Sequence, residues 1–402
     1  MHFFKDLSWS TFTAGFVAVL VGFTSSIAIV FQAAQAFGAT QEMLASWIWA
    51  ISIGMGLTTA VPSLLLKKPV MVAWSTPGAA VLASAGLAGG FSMGEAVGAF
   101  MASAALIVLL GATGWFAALM NRIPAALASA LLAGVLARFG IAGFAAAQNA
   151  LPLVSLMLLV YVLGRRLVPL YAVPLTLLCA IAFVAAQGGF AHVVIPTGLT
   201  WPVYVAPQFS VSAMVSLALP LFVVTMASQN MPGVAAIQAC GFGDERASGG
   251  DAGLPISGIL TMTGLATLAL APFGAFSLNL SAITAAMCMG PQAHPDKARR
   301  YTAAVCCGLI YIALGLFGAT IMALLSAFPQ ALVVAIAGLA LMATIGNALA
   351  TALQAPAERE AAMVTFLITL SGVVIGGVGS AFWGLLAGAI ALAVQHYRPS
   401  QA

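Results

Sequence analysis

The residues of this sequence that could do chemistry are hydroxyl and amide side chains embedded in long apolar stretches. Such groups donate and accept hydrogen bonds but do not ionise near neutral pH, so they favour binding over catalysis. Paired acids, a Ser/His pair or metal ligands, which an intramembrane enzyme would need, do not occur within an apolar stretch. The sequence therefore predicts a protein that is not an enzyme and that holds no metal and no cofactor. The polar runs are Thr24-Ser25-Ser26, Ser75-Thr76, Ser228-Gln229-Asn230 and Asn279-Leu280-Ser281.

The composition indicates that a lipid bilayer surrounds these runs. Of 402 residues, 62% are hydrophobic and only 5% are charged, whereas about 25% of the residues of a soluble domain are charged. This excludes a soluble fold, a disordered chain and a coiled coil, which need more polar or charged residues. A nucleic-acid-binding protein needs a basic face, and the 13 basic residues are too scattered to form one.

The positions of the charges divide the chain into membrane spans of about 20 residues each. Cutting at charges, glycines, prolines and polar clusters predicts an all-α polytopic protein with fourteen transmembrane segments. If both termini are cytoplasmic, twelve basic residues lie inside and only Arg138 lies outside, as the positive-inside rule favours. The predicted location is a cell (inner) membrane. The segments start near residues 11, 43, 70, 95, 123, 150, 169, 212, 254, 275, 301, 329, 358 and 377.

The two halves of the chain resemble each other at an offset of about 205 residues. Ile123-Pro124-Ala125-Ala126-Leu127 recurs as Phe328-Pro329-Gln330-Ala331-Leu332, and Gln32-Ala33 recurs as Gln238-Ala239. Seven spans per half is an odd number, so the second half would enter the membrane from the opposite side. The pattern predicts an inverted repeat of residues 1–205 (spans 1 to 7) and 206–402 (spans 8 to 14), as in many secondary transporters.

Segments 3 and 10 break the helical pattern at equivalent places. Pro69 to Trp74 is short and β-branched and runs into a helix start at Ser75-Thr76-Pro77-Gly78. Phe273 to Ser281 shows period-2 spacing before a second short helix. Each pattern predicts a short extended strand followed by a half-helix. Within the hydrocarbon region of a membrane, such non-helical backbone occurs only where it is buried in protein or lines a cavity. A loop with a short interfacial helix remains the alternative.

Two half-helices meeting from opposite sides would aim two N-termini at one point. Each carries roughly +0.5 elementary charge, so together they suit an anion without a buried Lys or Arg. The other polar clusters, at spans 1 and 8, would either complete this site or join helices by hydrogen bonds. The predicted substrate-binding residues are Thr24, Ser25, Trp74, Ser75, Thr76, Gly78, Gln229, Asn230, Phe276, Ser277, Asn279 and Ser281.

The chain resembles the benzoate/proton symporter family (BenE). The resemblance lies in Ser228-Gln229-Asn230-Met231-Pro232-Gly233, in Trp74-Ser75-Thr76-Pro77-Gly78-Ala79 and in Asn279-Leu280-Ser281-Ala282, and it covers essentially the whole chain. It implies the seven-plus-seven fold of nucleobase, ascorbate and sulfate transporters, import of benzoate with a proton, and a homodimer. It also implies a core domain (about 9–120 and 212–326) and a gate domain (about 121–190 and 327–398).

The sequence departs from nucleobase transporters of this fold, which carry glutamates in spans 8 and 10. The corresponding stretches here contain Gln229, Asn230 and Asn279 and no acid, which favours a substrate with its own negative charge. The proton would then travel on the substrate carboxylate or on a boundary acid such as Glu42. The leading hypothesis is a proton-coupled importer of an aromatic carboxylate; a permease for another small anion or a nucleobase-like ring, and a channel or non-transporting scaffold, are the alternatives.

Overall fold

A computed structural model of the chain describes residues 3–116, 124–188, 198–243, 253–281, 283–291, 293–373, 375 and 380–396. These residues are almost entirely helical. The helices are α1 (Phe3–Asp6), α2 (Trp9–Ala36), α3 (Gln41–Leu66), α4 (Thr76–Gly89), α5 (Met93–Thr113), α6 (Ala125–Ala145), α7 (Ala147–Leu167), α8 (Ala172–Ala186), α9 (from Val211–Ala213 through Leu219–Thr225 to Met231–Ala239), α10 (Ile256–Leu270), α11 (Ile283–Met289), α12 (Tyr301–Leu316), α13 (Gly318–Ser326), α14 (Gln330–Ala352), α15 (Arg359–Ser371) and α16 (Ser380–His396).

Within the described ranges, eight helices are long and apolar enough to cross a bilayer, and α2 makes a ninth when its two halves are taken as one span. Helix α7 shows how they meet lipid. Leu151, Leu158, Leu159, Val162 and Leu163 are all exposed, and their spacing puts them on one helix face. The prediction of a mostly helical polytopic membrane protein is confirmed.

Two three-residue strands lie among these helices. Strand β1 (Val72–Trp74) pairs antiparallel with β2 (Leu278–Leu280), and Ala73 stands opposite Asn279. Helix α4 begins two residues after β1, and α11 begins three residues after β2. Both strands are largely buried, and pairing satisfies backbone groups that lipid could not.

The extended stretch predicted from Phe273 is shorter in the structure. Ala271–Phe273 forms a 3₁₀ turn, and Gly274 follows with φ +108°. A Cβ at Gly274 would lie 2.1 Å from Cδ1 of Trp47, so both the backbone angle and the packing require glycine. This turn delays the strand to Leu278.

Glycines let the helices approach closely. A Cβ at Gly56 of α3 would lie 2.6 Å from the carbonyl oxygen of Gly308 of α12. Gly384 and Gly388 of α16 likewise pack against Thr369 and Thr365 of α15, a close approach that small residues four positions apart allow.

Helix α9 contains two π-helical turns, Met214–Ala218 and Met226–Asn230. Each turn precedes a proline, Pro220 or Pro232. Proline has no N–H to donate to the carbonyl four residues earlier, and the helix widens where that bond is missing. The second π turn carries Ser228, Gln229 and Asn230.

Candidate binding site

A cavity of about 620 Å³ lies beside the paired strands. Part of its lining comes from α2, α3, β1, α4, α9, α11 and α12, and the rest comes from the end of α7, the start of α8 and the middle of α14. Its lining residues are Val21, Gly22, Ser26, Met55, Ala73, Trp74, Thr76, Pro77, Arg165, Pro169, Val173, Pro174, Ser228, Gln229, Ser281, Thr284, Met287, Tyr311, Ala340, Leu341, Ala343 and Thr344.

Trp74 supplies an aromatic surface in this cavity. Its indole Nε1 donates to Oγ of Ser26 at 3.0 Å, and its ring packs edge-on against Phe23 with centroids 5.4 Å apart. Ser26 in turn donates to the carbonyl of Gly22, one turn earlier in α2. Two neighbours therefore fix the ring orientation before a ligand enters.

The N-terminus of α4 meets the cavity at Thr76. Ser75 caps the helix, because its Oγ accepts from the N–H of Gly78 at 3.0 Å and its carbonyl accepts from Ala79. Pro77 has no N–H, so Thr76 holds the remaining first-turn N–H, which has no hydrogen-bond partner among the described residues. The positive end of the helix dipole acts at the same point. An anion can therefore bind at Thr76.

The π turn of α9 separates Gln229 from Asn230. Gln229 is half-buried in the cavity wall, and its amide has no hydrogen-bond partner within the described part of the chain. Asn230 is fully buried and points away; its Oδ1 accepts from the N–H of Leu280 at 3.0 Å, and its Nδ2 contacts Sδ of Met226. Ser228 lines the cavity and donates to the carbonyl of Val224. Gln229 is free to bind a ligand, whereas Asn230 braces strand β2.

Several other predicted site residues form a layer behind the cavity wall. Thr225 donates to Oγ of Ser75 at 2.9 Å and accepts from Oγ of Ser277 at 3.3 Å. With its amide oriented to satisfy both partners, Asn279 donates to the carbonyl of Leu280 and accepts from the N–H of Ser75, each at 2.9 Å. Both strand ends are therefore held by polar contacts that leave no group of this layer facing the cavity.

Phe276 and Gly78 also lie outside the cavity lining. Phe276 is fully buried against Trp47 and Phe100, with ring centroids 5.9 and 6.3 Å away. Gly78 packs against α9, where a Cβ would lie 2.6 Å from Cδ1 of Leu221. These two residues shape the scaffold, and Trp74 is the predicted aromatic residue that reaches the cavity.

On α2 the residue that lines the cavity is Ser26, next to the predicted pair Thr24 and Ser25. Thr24 bonds to the carbonyl of Leu20 in its own helix and does not line the cavity. The side chain of Ser25 falls outside the described residues. Ser26 lines the cavity with Gly22, four residues earlier, and that spacing puts the two residues on one helix face.

On the α11 side, Ser281 and Thr284 share a hydrogen bond between their hydroxyls, and both line the cavity. Sequence reasoning included Ser281 but missed Thr284, Tyr311, Thr344 and Arg165. Arg165 is the one charged residue among the described lining residues. The cavity is thus a largely neutral chamber with hydroxyl and amide groups, one oriented indole and one helix N-terminus.

Residues 5–394 match the sequence profile of the family described as benzoate membrane transport protein, BenE. The chain belongs to the BenE family. As a member of a membrane transport family, it is a transporter and not an enzyme.

Two curated relatives span nearly the same length as this BenE chain. It is 45% identical over 384 residues to "Inner membrane protein YdcO" of Escherichia coli (strain K12), covering 96% of this chain and 95% of that protein. It is 39% identical over 388 residues to "Benzoate membrane transport protein" of Acinetobacter baylyi (strain ATCC 33305 / BD413 / ADP1), with the same coverage.

Solved structures with the same fold are distant in sequence. The transmembrane domain of a cyanobacterial bicarbonate transporter, BicA, aligns with a TM-score of 0.56 at 13% identity, covering 96% of this chain and 95% of that one. The murine Slc26a9 anion transporter in the inward-facing state aligns with a TM-score of 0.57 at 13% identity, covering 97% and 68%. The BenE chain therefore shares the fold of these anion transporters.

Proposed function

We propose that the protein is a secondary active transporter that imports benzoate or a similar aromatic carboxylate across the inner membrane. The observation that carries the proposal is the chamber itself: an oriented Trp74 indole beside the α4 N-terminus and the unengaged amide of Gln229. Membership of the BenE family supports the substrate class, as does the name of the Acinetobacter relative. The name of the Escherichia coli relative supports the inner membrane.

In the proposed complex the carboxylate faces Thr76 and the ring packs against Trp74. The N–H of Thr76 and its hydroxyl would each donate to a carboxylate oxygen. A hydrogen bond to a charged group contributes about 1.5–3 kcal/mol, and the α4 dipole adds to it. Gln229 would donate from its amide nitrogen to the same carboxylate. The apolar lining of Val21, Met55 and Leu341 then surrounds the ring.

The proposed architecture is the inverted repeat of fourteen segments. Strands β1 and β2 support it, because they are 206 residues apart, pair antiparallel, and each precedes a short helix. The cavity supports the core and gate division: part of its lining comes from the ranges predicted as core, and the rest from α7, α8 and α14 in the ranges predicted as gate.

Alternating access would proceed by movement of the core against the gate. Arg165 lies in the last turn of α7, on the side that the distribution of basic residues predicts to be cytoplasmic. A cavity that reaches Arg165 therefore favours an inward-open state, with both termini in the cytoplasm. The homodimer implied by the family resemblance stays a prediction.

Proton coupling needs a carrier that the cavity wall lacks. No acid lines the cavity within the described residues, and Glu42 is exposed in the first turn of α3. We propose that benzoate binds as the anion and that its bound carboxylate takes up the proton before the core moves, so that one proton enters with each carboxylate. This arrangement requires no titrating side chain in the binding site.

Uptake of labelled benzoate into proteoliposomes with an imposed pH gradient tests the proposal. We expect saturable uptake that rises when the source compartment is more acidic and that a protonophore abolishes. Uptake no greater than in empty vesicles would refute the transport proposal. Equal uptake with and without the gradient would refute proton coupling alone.

The anion-transporter fold neighbours favour one other candidate, a permease for a small inorganic anion. Competition separates the two. If bicarbonate or sulfate displaces benzoate at similar concentration, the site binds small anions in general and the ring contributes little. If only ring-bearing carboxylates compete, the contribution of Trp74 is supported.

A further inference from the structure

Building on the proposed function, we infer that Arg165 forms a second anion-binding position at the mouth of the cavity. Arg165 lies in the last turn of α7, is exposed, and lines the cavity. Its neighbour Arg166 is equally exposed but is absent from the lining. The sequence accounts for both arginines by the positive-inside rule alone, and the fold gives only one of them access to the substrate path.

The cavity has room for two separate positions. Its volume of about 620 Å³ is in the range that accommodates drug-sized ligands, roughly 300–1,000 Å³, and a single-ring carboxylate fills only part of it. Thr76 and Gln229 lie on α4 and α9, whereas Arg165 lies at the end of α7, with Pro169 and Val173 beyond it along the chain. The inference therefore places one carboxylate at the exposed guanidinium and a second at the helix N-terminus.

The chemistry of the two positions differs. The position at Thr76 offers neutral hydrogen-bond donors and the fixed ring of Trp74, so it discriminates between ligands by their shape. The guanidinium of Arg165 offers a planar pair of donors that matches a carboxylate, and it selects charge. Because Arg165 is exposed, water and salt screen its attraction, so this position concentrates anions at the mouth without trapping them.

Calorimetric binding of benzoate to the purified protein tests the inference, with Arg165→Gln and Arg166→Gln as a matched pair. One exposed charge at about 4 Å supplies about 1 kcal/mol, so we expect Arg165→Gln to raise the benzoate Kd about fivefold at low salt. The same variant should weaken the salt dependence of binding, while Arg166→Gln resembles the wild type. Benzamide, which is uncharged, should bind both variants equally.

Equal Kd and equal salt dependence for the matched pair would overturn the inference while wild-type benzoate binding still supports the proposed function. Absence of benzoate binding to the wild type would overturn both. Arg165→Glu is a second variant, for the case that Arg165→Gln misfolds. It should weaken benzoate binding more than Arg165→Gln does. If Arg165→Glu binds benzoate as tightly as the wild type, the inference is overturned.

We also infer, from a separate observation, that Arg138 closes the outer side of the molecule. Arg138 is the single basic residue that the predicted topology places outside. Its Nη1 donates to Oγ of Ser84 on α4, and its guanidinium covers Gly372, where a Cβ would lie 2.8 Å from Nη1. Gly372 ends α15. One side chain of α6 thus joins a helix of the predicted core to the end of another gate helix.

The surroundings of this contact are closely packed. Val81, Ser84 and Ala85 of α4 face Val135 of α6 and Ala381 of α16 around a void of only about 10 Å³, about the size of one water probe. In the proposed movement of core against gate, on which this inference rests, an outward-open state separates α4 from α6 and α16 and breaks the Arg138–Ser84 bond. The bond acts as a latch for the inward-open state.

Hydrogen–deuterium exchange of the purified protein tests the latch with Arg138→Gln, Ser84→Ala and the control Ser103→Ala, whose hydroxyl is buried without a partner in the described structure. Both latch variants should increase exchange about two- to tenfold in residues 81–89 and 380–386, as a weak local contact would. The control should not. If Arg138→Gln loosens only residues 365–372 and Ser84→Ala changes nothing, Arg138 merely caps α15 and the latch is refuted.

Discussion

Replacing Gln229 by glutamate gives the sharpest test of where the substrate lies. The change keeps the size of the side chain and places a negative charge on the cavity wall, beside the proposed carboxylate. Two like charges about 5 Å apart repel by roughly 3 kcal/mol at an effective dielectric of about 20, and by about 1 kcal/mol in water. Gln229 is half-buried, so the true value lies between these limits.

We therefore expect Gln229→Glu to raise the benzoate Kd about 10- to 100-fold at pH 8. The ratio of variant to wild-type Kd should shrink towards pH 5, because protonation of the glutamate removes the repulsion. Benzamide should bind both proteins with similar affinity. Calorimetry on the purified proteins measures all three quantities.

Asn230→Asp is the matched control on the next residue. Asn230 is fully buried and accepts from Leu280 rather than facing the cavity, so the new charge should lower the thermal unfolding midpoint. It should not produce the pH-dependent selectivity between benzoate and benzamide. If Gln229→Glu leaves the Kd for benzoate unchanged, or if Asn230→Asp gives the selective effect instead, the assignment of Gln229 to the binding wall is wrong.

Three further predictions follow from single contacts. Trp74→Phe removes the indole donor to Ser26, which holds the ring in place. The loss of one neutral hydrogen bond, about 1 kcal/mol, should raise the benzoate Kd about threefold to tenfold, as measured by calorimetry. Ser75→Ala removes the α4 cap and the acceptor for Thr225 and should destabilise the protein by about 1–2 kcal/mol, seen in thermal unfolding. Gly56→Ala forces α3 away from α12 and should cost about 1–3 kcal/mol, whereas Gly346→Ala, with open space around an added Cβ, should leave the unfolding midpoint unchanged or raise it slightly.

Contradictory outcomes are as specific. An unchanged benzoate Kd in Trp74→Phe would show that the substrate ring does not depend on the orientation of the Trp74 indole. A stable Ser75→Ala protein with weakened binding would make the hydroxyl a ligand rather than a cap. Equal stability of the Gly56→Ala and Gly346→Ala variants would show that the helix contact tolerates a methyl group.

The sequence was sufficient for the class of protein and for its family, because both depend on composition and on short uninterrupted runs. Hydrophobic stretches specify membrane helices whatever their neighbours, and the runs around Ser75 and Ser228 carry the family resemblance, which the matching profile confirms. The membrane class and the transport family could thus be predicted without any knowledge of packing.

The division of the polar runs between cavity and scaffold could not be predicted as directly. Gln229 and Asn230 are adjacent and chemically alike, but neighbouring residues of a helix point in different directions, and of the two only Gln229 lines the cavity. Asn279 is held by the strand backbone, and Arg165 reaches the cavity because of the tertiary position of α7. Neither follows from local sequence.

The paired strands have a consequence for how the substrate range of such a chain can change. Main-chain bonds hold Ala73 opposite Asn279 and Trp74 opposite Leu278, so the frame that positions the half-helices does not depend on the side chains that face the cavity. Thr76 and Gln229 are outside that frame. If these two residues bind the substrate as proposed, single substitutions there should change which solute binds while the folded chain stays intact.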